Sequence, residues 1–252
     1  MQIASYSFFT VAAAVAAAAG SYFYAVRRGF KKGDVLWMIG GMTVAAFLGA
    51  RLLNIIVNFE WYLKDPSRAY DLGATGFSLY GGVLGAILAG WIISRIKKVP
   101  LWKFADTVTP FVGIAIALMR IGCFLNGCCF GKETDLPWGV TYPHLSHAHL
   151  HQISGNFLGS LEVHAVHPTQ IYEMIAALIG TAMALYLIKK KTAHGTAFLV
   201  CGMYFSAFRW FNMCLRELPY DEAMMNLWYP LLYASVIILC GTLLFRLRAN
   251  GR

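Results

Sequence analysis

Seven stretches of mostly apolar residues dominate this chain, at roughly 3–26, 35–58, 78–95, 103–125, 168–188, 196–214 and 228–246. A helix that crosses a bilayer needs about 20 such residues, because inside hydrocarbon every backbone polar group must be satisfied within the helix. The pattern predicts an all-α polytopic membrane protein with seven transmembrane helices. Composition agrees: 58% of residues are hydrophobic and only 13% are charged, against about 25% charged in a soluble domain. A water-facing globular fold is excluded. The 252 residues are expected to form a single transmembrane domain over 1–252. One long polar connection, 126–167, rich in Gly, Pro and His, is expected to form a small extramembrane head. No cleavable signal peptide is expected, since MQIASYSFF lacks a basic start and leads into a run long enough to remain as a span.

A formal charge of +9 raises the question of nucleic acid. The placement of the charges argues for a membrane instead. Arg27, Arg28, Lys31, Lys32, Arg95, Lys97, Lys98, Lys103, Lys189, Lys190, Lys191, Arg246, Arg248 and Arg252 fall in one set of loops. Only Lys64, Arg68, Lys132 and Arg216 fall in the other. Basic residues mark the cytoplasmic side. The N-terminus and the 126–167 head are therefore expected outside and the C-terminus inside.

Three arginines remain, and each lies within a predicted helix: Arg51, Arg120 and Arg209. An arginine at the centre of a membrane helix costs at least about 2.5–3.5 kcal/mol and normally faces a polar interior. All three stand a few residues before the outer end of an outward-running helix. At about 1.5 Å per residue this puts them roughly 7–10 Å below the outer surface. Tyr6, Tyr80, His167, Gln170, Tyr172 and Glu173 reach the same layer from the inward-running helices. A transport path would need polar groups at several depths, and the first, fifth and seventh helices show none deeper. A guanidinium donates in a planar fork and stays charged, which suits a phosphodiester, and lipid phosphates lie at that depth. The alternative for each arginine is snorkelling or pairing with a carboxylate.

Two motifs narrow the chemistry: MRIGCFLNGCCFGKETDLPWG at 119–139 and HPTQIYE at 167–173. Together they resemble the prolipoprotein diacylglyceryl transferase family. Arg120, Gly122, Phe124, Asn126, Gly127, Gly131 and Lys132 match the first family element in order, and His167 to Glu173 match the second. Gly49-Ala50-Arg51, YGGVLG at 80–85 and Phe208-Arg209 fall where the family has similar features. The resemblance implies a seven-helix fold with an outside N-terminus and a periplasmic head in a bacterial inner membrane. It implies transfer of the diacylglyceryl group of phosphatidylglycerol to the thiol of a lipobox cysteine in a prolipoprotein, forming a thioether and releasing glycerol phosphate. Arg120 and Arg209 would serve as catalytic arginines, with Tyr6, Arg51, Gly81, Gly82, Asn126, Gly131, Gln170 and Tyr172 in substrate binding. The chain departs from the family pattern where Tyr80 replaces a histidine proposed as base, Cys128 a glutamate, Cys123 an asparagine and Met213 a glutamate.

The reaction is a displacement at a glycerol carbon, so the site must stabilise charge on the leaving phosphate and help to form a thiolate. With Tyr80 a poor base, its ordinary pKa being near 10, His167 or Glu173 is expected to take the proton. Bland readings stand beside these. Glu173 pairs with an arginine, Asn126 and Gln170 satisfy backbone groups, His167 packs at a helix start, and Gly81 and Gly82 permit close helix contact. The expected partners are phosphatidylglycerol, a lipobox segment and the bilayer, with no nucleic acid and no cofactor. Two other readings remain open: a divergent paralogue that binds phospholipid or lipidates another acceptor, and a metal-handling protein. The last rests on Cys123, Cys128 and Cys129 with His144, His147, His149, His151 and His164, a set with no standard Cys-x-x-Cys spacing.

Overall fold

The computed structural model describes residues 2–67, 77–155, 163–217 and 224–250. Of the orientation residues, Arg68 and Arg252 lie outside the described residues, as do residues 156–162 of the polar connection. The helices in chain order are α1 (Gln2–Arg27), α2 (Lys32–Val57), α3 (Phe59–Lys64), α4 (Leu79–Lys97), α5 (Leu101–Asn126), α6 (His147–Gly155), α7 (Thr169–Lys189), α8 (Thr196–Leu215) and α9 (Tyr229–Asn250), the last preceded by one π-helical turn, Met224–Trp228. Among the described residues the only β pairing is three isolated bridges, Gly131 with Arg216, and Val166 with both Glu133 and Val140.

Six of the expected spans form helices long and apolar enough to cross a membrane, within α1, α2, α5, α7, α8 and at the chain's end in α9. The seventh run, 78–95, does fold as a helix, α4, but is not among those six. It is 19 residues long and carries Arg95 and Lys97 in its last turn. Large apolar side chains such as Phe23, Trp37, Ile56, Ile96, Phe211 and Phe245 lie on the exterior, as hydrocarbon-facing side chains do and those of a water-soluble protein seldom do.

Two compact units make up the chain, one of Met1–Ser21 with Ala105–Arg252 and the other of Tyr22–Phe104. In the first, α5, α7 and α8 are tied by polar contacts between their apolar faces. Gly113 of α5 faces the Ala177 carbonyl and Thr181 of α7, and Thr181 Oγ1 donates to the Pro110 carbonyl at 3.2 Å. Buried Asp106 of α5 caps the start of α8, accepting from the backbone N–H groups of Gly195 at 2.7 Å and Phe198 at 2.9 Å. These donors have no partner inside their own helix, and a carboxylate there also meets the positive end of the helix dipole.

In the second unit, α2 and α4 meet backbone to backbone. A Cβ at Gly49 would strike the Gly81 carbonyl oxygen and sit 3.2 Å from the Gly85 Cα. One at Gly82 would lie 3.3 Å from the Ala46 carbonyl oxygen. Small residues allow such approach where no hydrophobic force acts between helices in lipid. Ser78 caps α4 and donates its own N–H to the Ala50 carbonyl at 2.9 Å. Arg51 lies one residue on, its guanidinium carbon 5.7 Å from the Tyr62 ring centre and 5.2 Å from that of Phe77. Gly49→Ala should therefore destabilise the protein by about 1–3 kcal/mol through overpacking. Gly40→Ala, at a site with open space around it, should leave the melting temperature unchanged or higher. Thermal unfolding of the purified variants in detergent checks the contrast.

Candidate active site

The site begins where α5 ends. Gly127 takes the left-handed conformation, φ +67°, and its N–H bonds to the Phe124 carbonyl while the Cys128 N–H reaches back to Cys123, both at 3.1 Å. This paired closure is the Schellman stop, and glycine enters it without the Cβ penalty. The turn folds Cys128 back over Cys123 and leaves Arg120 less than two turns inside the helix. Helix α7 opens at Thr169 and turns Glu173 inward, and α8 brings Arg209 and Asn212 with Arg216 just beyond its end.

Glu173 is the meeting point. Its Oε2 lies 2.5 Å from Arg120 Nε, and its Oε1 lies 2.5 Å from Arg209 NH1 and 3.5 Å from Arg216 NH1. Asn212 Nδ2 also donates to Oε1 at 2.9 Å. The Arg120–Glu173 contact is an ion pair with poor hydrogen-bond alignment, since neither atom has a well-directed partner. The Glu173 side chain is 3% exposed and that of Arg209 22%. These four ionic side chains comprise three guanidiniums and one carboxylate, leaving two positive charges in excess. A buried carboxylate is tolerated when it is paired and hydrogen-bonded, as this one is. Among the described residues, Arg216 Nε and Asn212 Oδ1, on side chains that contact the carboxylate, and Gln170 Oε1, on the side chain that clamps Cys128, are buried with no hydrogen-bond partner, so the site has donor and acceptor capacity beyond its own network.

Beside the arginines stand three thiols. The Sγ atoms of Cys123, Cys128 and Cys129 all lie within 4.8 Å of one another, and Arg120 NH1 is 3.7 Å from Cys123 Sγ. The backbone carrying them is clamped from α7. Thr169 Oγ1 donates to the Cys129 carbonyl at 2.8 Å and Gln170 Nε2 to the Cys128 carbonyl at 2.7 Å. Cys129 itself has φ +62°, a left-handed conformation that is costly away from glycine and persists only where the surroundings hold it. Its thiol is drawn below the ordinary range, first by hydrogen bonds from the Cys123 and Cys128 thiols and, against the effect of burial, by the charges of Arg216 and Arg120. Tyr142, which accepts from Gln170 Nε2 at 2.9 Å, has its hydroxyl pushed up to about 12, chiefly by burial.

The chain matches the family model described as "Prolipoprotein diacylglyceryl transferase" over residues 1–247. It belongs to the prolipoprotein diacylglyceryl transferase family. It is 31% identical over 219 residues to the phosphatidylglycerol–prolipoprotein diacylglyceryl transferase of Acaryochloris marina, covering 86% of this chain and 74% of that one. It is likewise 31% identical over 220 residues to the protein of that name from Clostridioides difficile, covering 87% and 78%. Apolar helices and family membership together make it an integral membrane protein.

The residues singled out from sequence fall into three groups. Arg120, Arg209 and Glu173 converge. Gln170 and Asn126 border the convergence: Gln170 through the bonds above, and Asn126 as the buried last residue of α5, beside Cys128. Tyr6 stands near the same end of α5, where Gly122 lets α1 approach. A Cβ there would be 2.8 Å from Phe9 Cβ and 3.6 Å from the Tyr6 carbonyl oxygen. His167 and Tyr172 are paired apart from the carboxylate, with His167 Nδ1 3.3 Å from Tyr172 Oη, which accepts from Trp138 Nε1 at 2.8 Å. Gly131 is wedged against His167 and Leu215, where a Cβ would come 2.5 Å from His167 Cβ and 2.7 Å from the Leu215 carbonyl oxygen. Arg51, Tyr80, Gly81 and Gly82 belong to the second unit.

Two members of the cluster were missed. Asn212 and Arg216 follow Arg209 at three and seven residues, on one helical face, and that spacing is the signal that could have found them. From the sequence Arg216, at the end of a span, reads only as an orientation charge. Glu173→Gln keeps the shape but removes the charge that three guanidiniums share. It should lower stability in neutral detergent by about 3–5 kcal/mol. Anionic lipid should raise its melting temperature more than that of the wild type, as read by thermal unfolding with and without phosphatidylglycerol.

Proposed function

We propose that this protein transfers the diacylglyceryl group of phosphatidylglycerol to the lipobox cysteine thiol of prolipoproteins, forming a thioether and releasing glycerol phosphate. The observation that carries the reading is the charge imbalance around Glu173. A phosphodiester bears one negative charge, and the glycerol phosphate that departs bears two. An excess of two positive charges in a buried setting therefore stabilises the departing dianion more than the bound lipid. That difference is what lowers a barrier, and preorganised charge in a low-dielectric site is an effective way to supply it.

In this scheme Arg120 and Arg209 hold the phosphate, and Arg216 adds its Nε, a buried donor with no partner among the described residues. Glu173 and Asn212 orient the guanidiniums rather than touch the lipid. His167 takes the acceptor's thiol proton, with Tyr172 fixing its ring. The parts proposed for Tyr6, Arg51, Gly81, Gly82, Asn126, Gly131 and Gln170 in substrate binding, and for Tyr80 among the catalytic residues, rest on family resemblance. We place α4 as a seventh span, the N-terminus and the 126–167 head in the periplasm, and the reaction near the outer leaflet of a bacterial inner membrane. The asymmetry of basic residues supports that orientation.

Incubating the purified protein with phosphatidylglycerol and a lipobox peptide, read by mass spectrometry, should give the diacylglyceryl thioether. Arg120→Ala and Arg209→Ala should each lower the rate by about 10²–10³-fold, the scale of losing one charge-stabilising donor. A wild type that retains phosphatidylglycerol but modifies no thiol would instead be a lipid-binding relative.

A further inference from the structure

The three cysteines beside Arg120 have no role in that scheme. Their arrangement is nevertheless specific. Three sulfur atoms converge within 4.8 Å, from a helix end and the loop that follows it. A zinc–sulfur bond is about 2.3 Å, so sulfurs sharing one zinc lie about 3.8–4.0 Å apart. Small side-chain rotations bring the three to that spacing. The backbone is already committed: Gly127 folds Cys128 onto Cys123, Cys129 holds a left-handed φ of 62°, and Thr169 and Gln170 clamp both loop carbonyls. The negative end of the α5 dipole points at the group and favours a cation. The Arg120 guanidinium, 3.7 Å from Cys123 Sγ, offsets the anionic charge of a trithiolate. No histidine or carboxylate completes this group among the described residues. Three protein ligands with an open fourth position is the arrangement of catalytic rather than structural zinc.

We propose that Cys123, Cys128 and Cys129 bind one zinc ion as thiolates, and that its fourth position takes the thiol of the acceptor cysteine. The first half stands on the geometry alone, and the second rests on the transfer reaction proposed above. Coordination deprotonates the acceptor thiol, the proton passing to His167 or water. The zinc-bound sulfur then attacks the terminal glycerol carbon of the diacylglyceryl group. The sulfur–carbon bond forms, the carbon–oxygen bond to phosphate breaks, and the electron pair leaves on the glycerol phosphate oxygen facing Arg120. The zinc stays divalent throughout.

Full-length protein, purified in detergent under reducing conditions, should carry about one zinc per chain by elemental mass spectrometry. Cys128→Ser and Cys129→Ser should lose it, while Cys201→Ser, elsewhere on α8, should keep it. In case the triad variants fail to fold, wild type stripped with a chelator and refilled with cobalt(II) provides a second reading. It should show sulfur-to-cobalt charge-transfer absorption and intense tetrahedral bands, and a lipobox peptide should shift those bands where its Cys→Ser version does not. Copper(I) in place of zinc, a disulfide among the three cysteines, or full transfer activity after chelation would each overturn the proposal and leave the transferase reading intact. Bound zinc and a peptide-induced shift without any transfer would uphold the metal site and defeat the transferase reading.

Discussion

One carboxylate holds the site together. Glu173 draws a guanidinium from α5, a second from α8 and a third from just beyond α8. Each of those arginines would be expensive to bury alone. Together they make the burial tolerable only because the carboxylate sits between them, and it in turn is tolerable only because they surround it. The helices cannot separate here without exposing several charges to hydrocarbon at once. The same contacts fix the direction of three forked donors before any lipid arrives, which is the condition for charge stabilisation without reorganisation.

The thiol corner is built differently. The arginine group depends on side chains reaching toward a common point, whereas the cysteines are placed by backbone: a helix stop, a left-handed residue and two carbonyls held by α7. The two constructions share Arg120, whose Nε faces the carboxylate and whose NH1 faces Cys123. In the proposed scheme, phosphate chemistry and thiol chemistry thus meet on one guanidinium.

Much of this was legible in the sequence, and what was not has physical causes. Arg120 and Arg209 stood out because a charge inside an apolar run is costly, and depth along the helix brought them to one layer. The HPTQIYE motif placed Glu173 at the start of a helix with them. Arg216 escaped because a basic residue at the end of a span also reads as an orientation signal, and only spacing from Arg209 distinguishes the two. The pairing of His167 with Tyr172 could not be read, since it depends on Trp138 arriving from the polar connection. The run at 78–95 forms a helix as expected, and the purpose of its glycines appears only when α2 is laid against them.

Helix α8 is secured at both ends by residues from its neighbours. Asp106 of α5 grips its first backbone amides, and Glu173 of α7 grips Arg209 and Asn212 near its last turn. A rod pinned at head and foot cannot piston along its axis. Under the proposed function, a lipid headgroup therefore meets guanidiniums whose direction is already set, and Arg209, the most accessible of the three cations, is the one it reaches first.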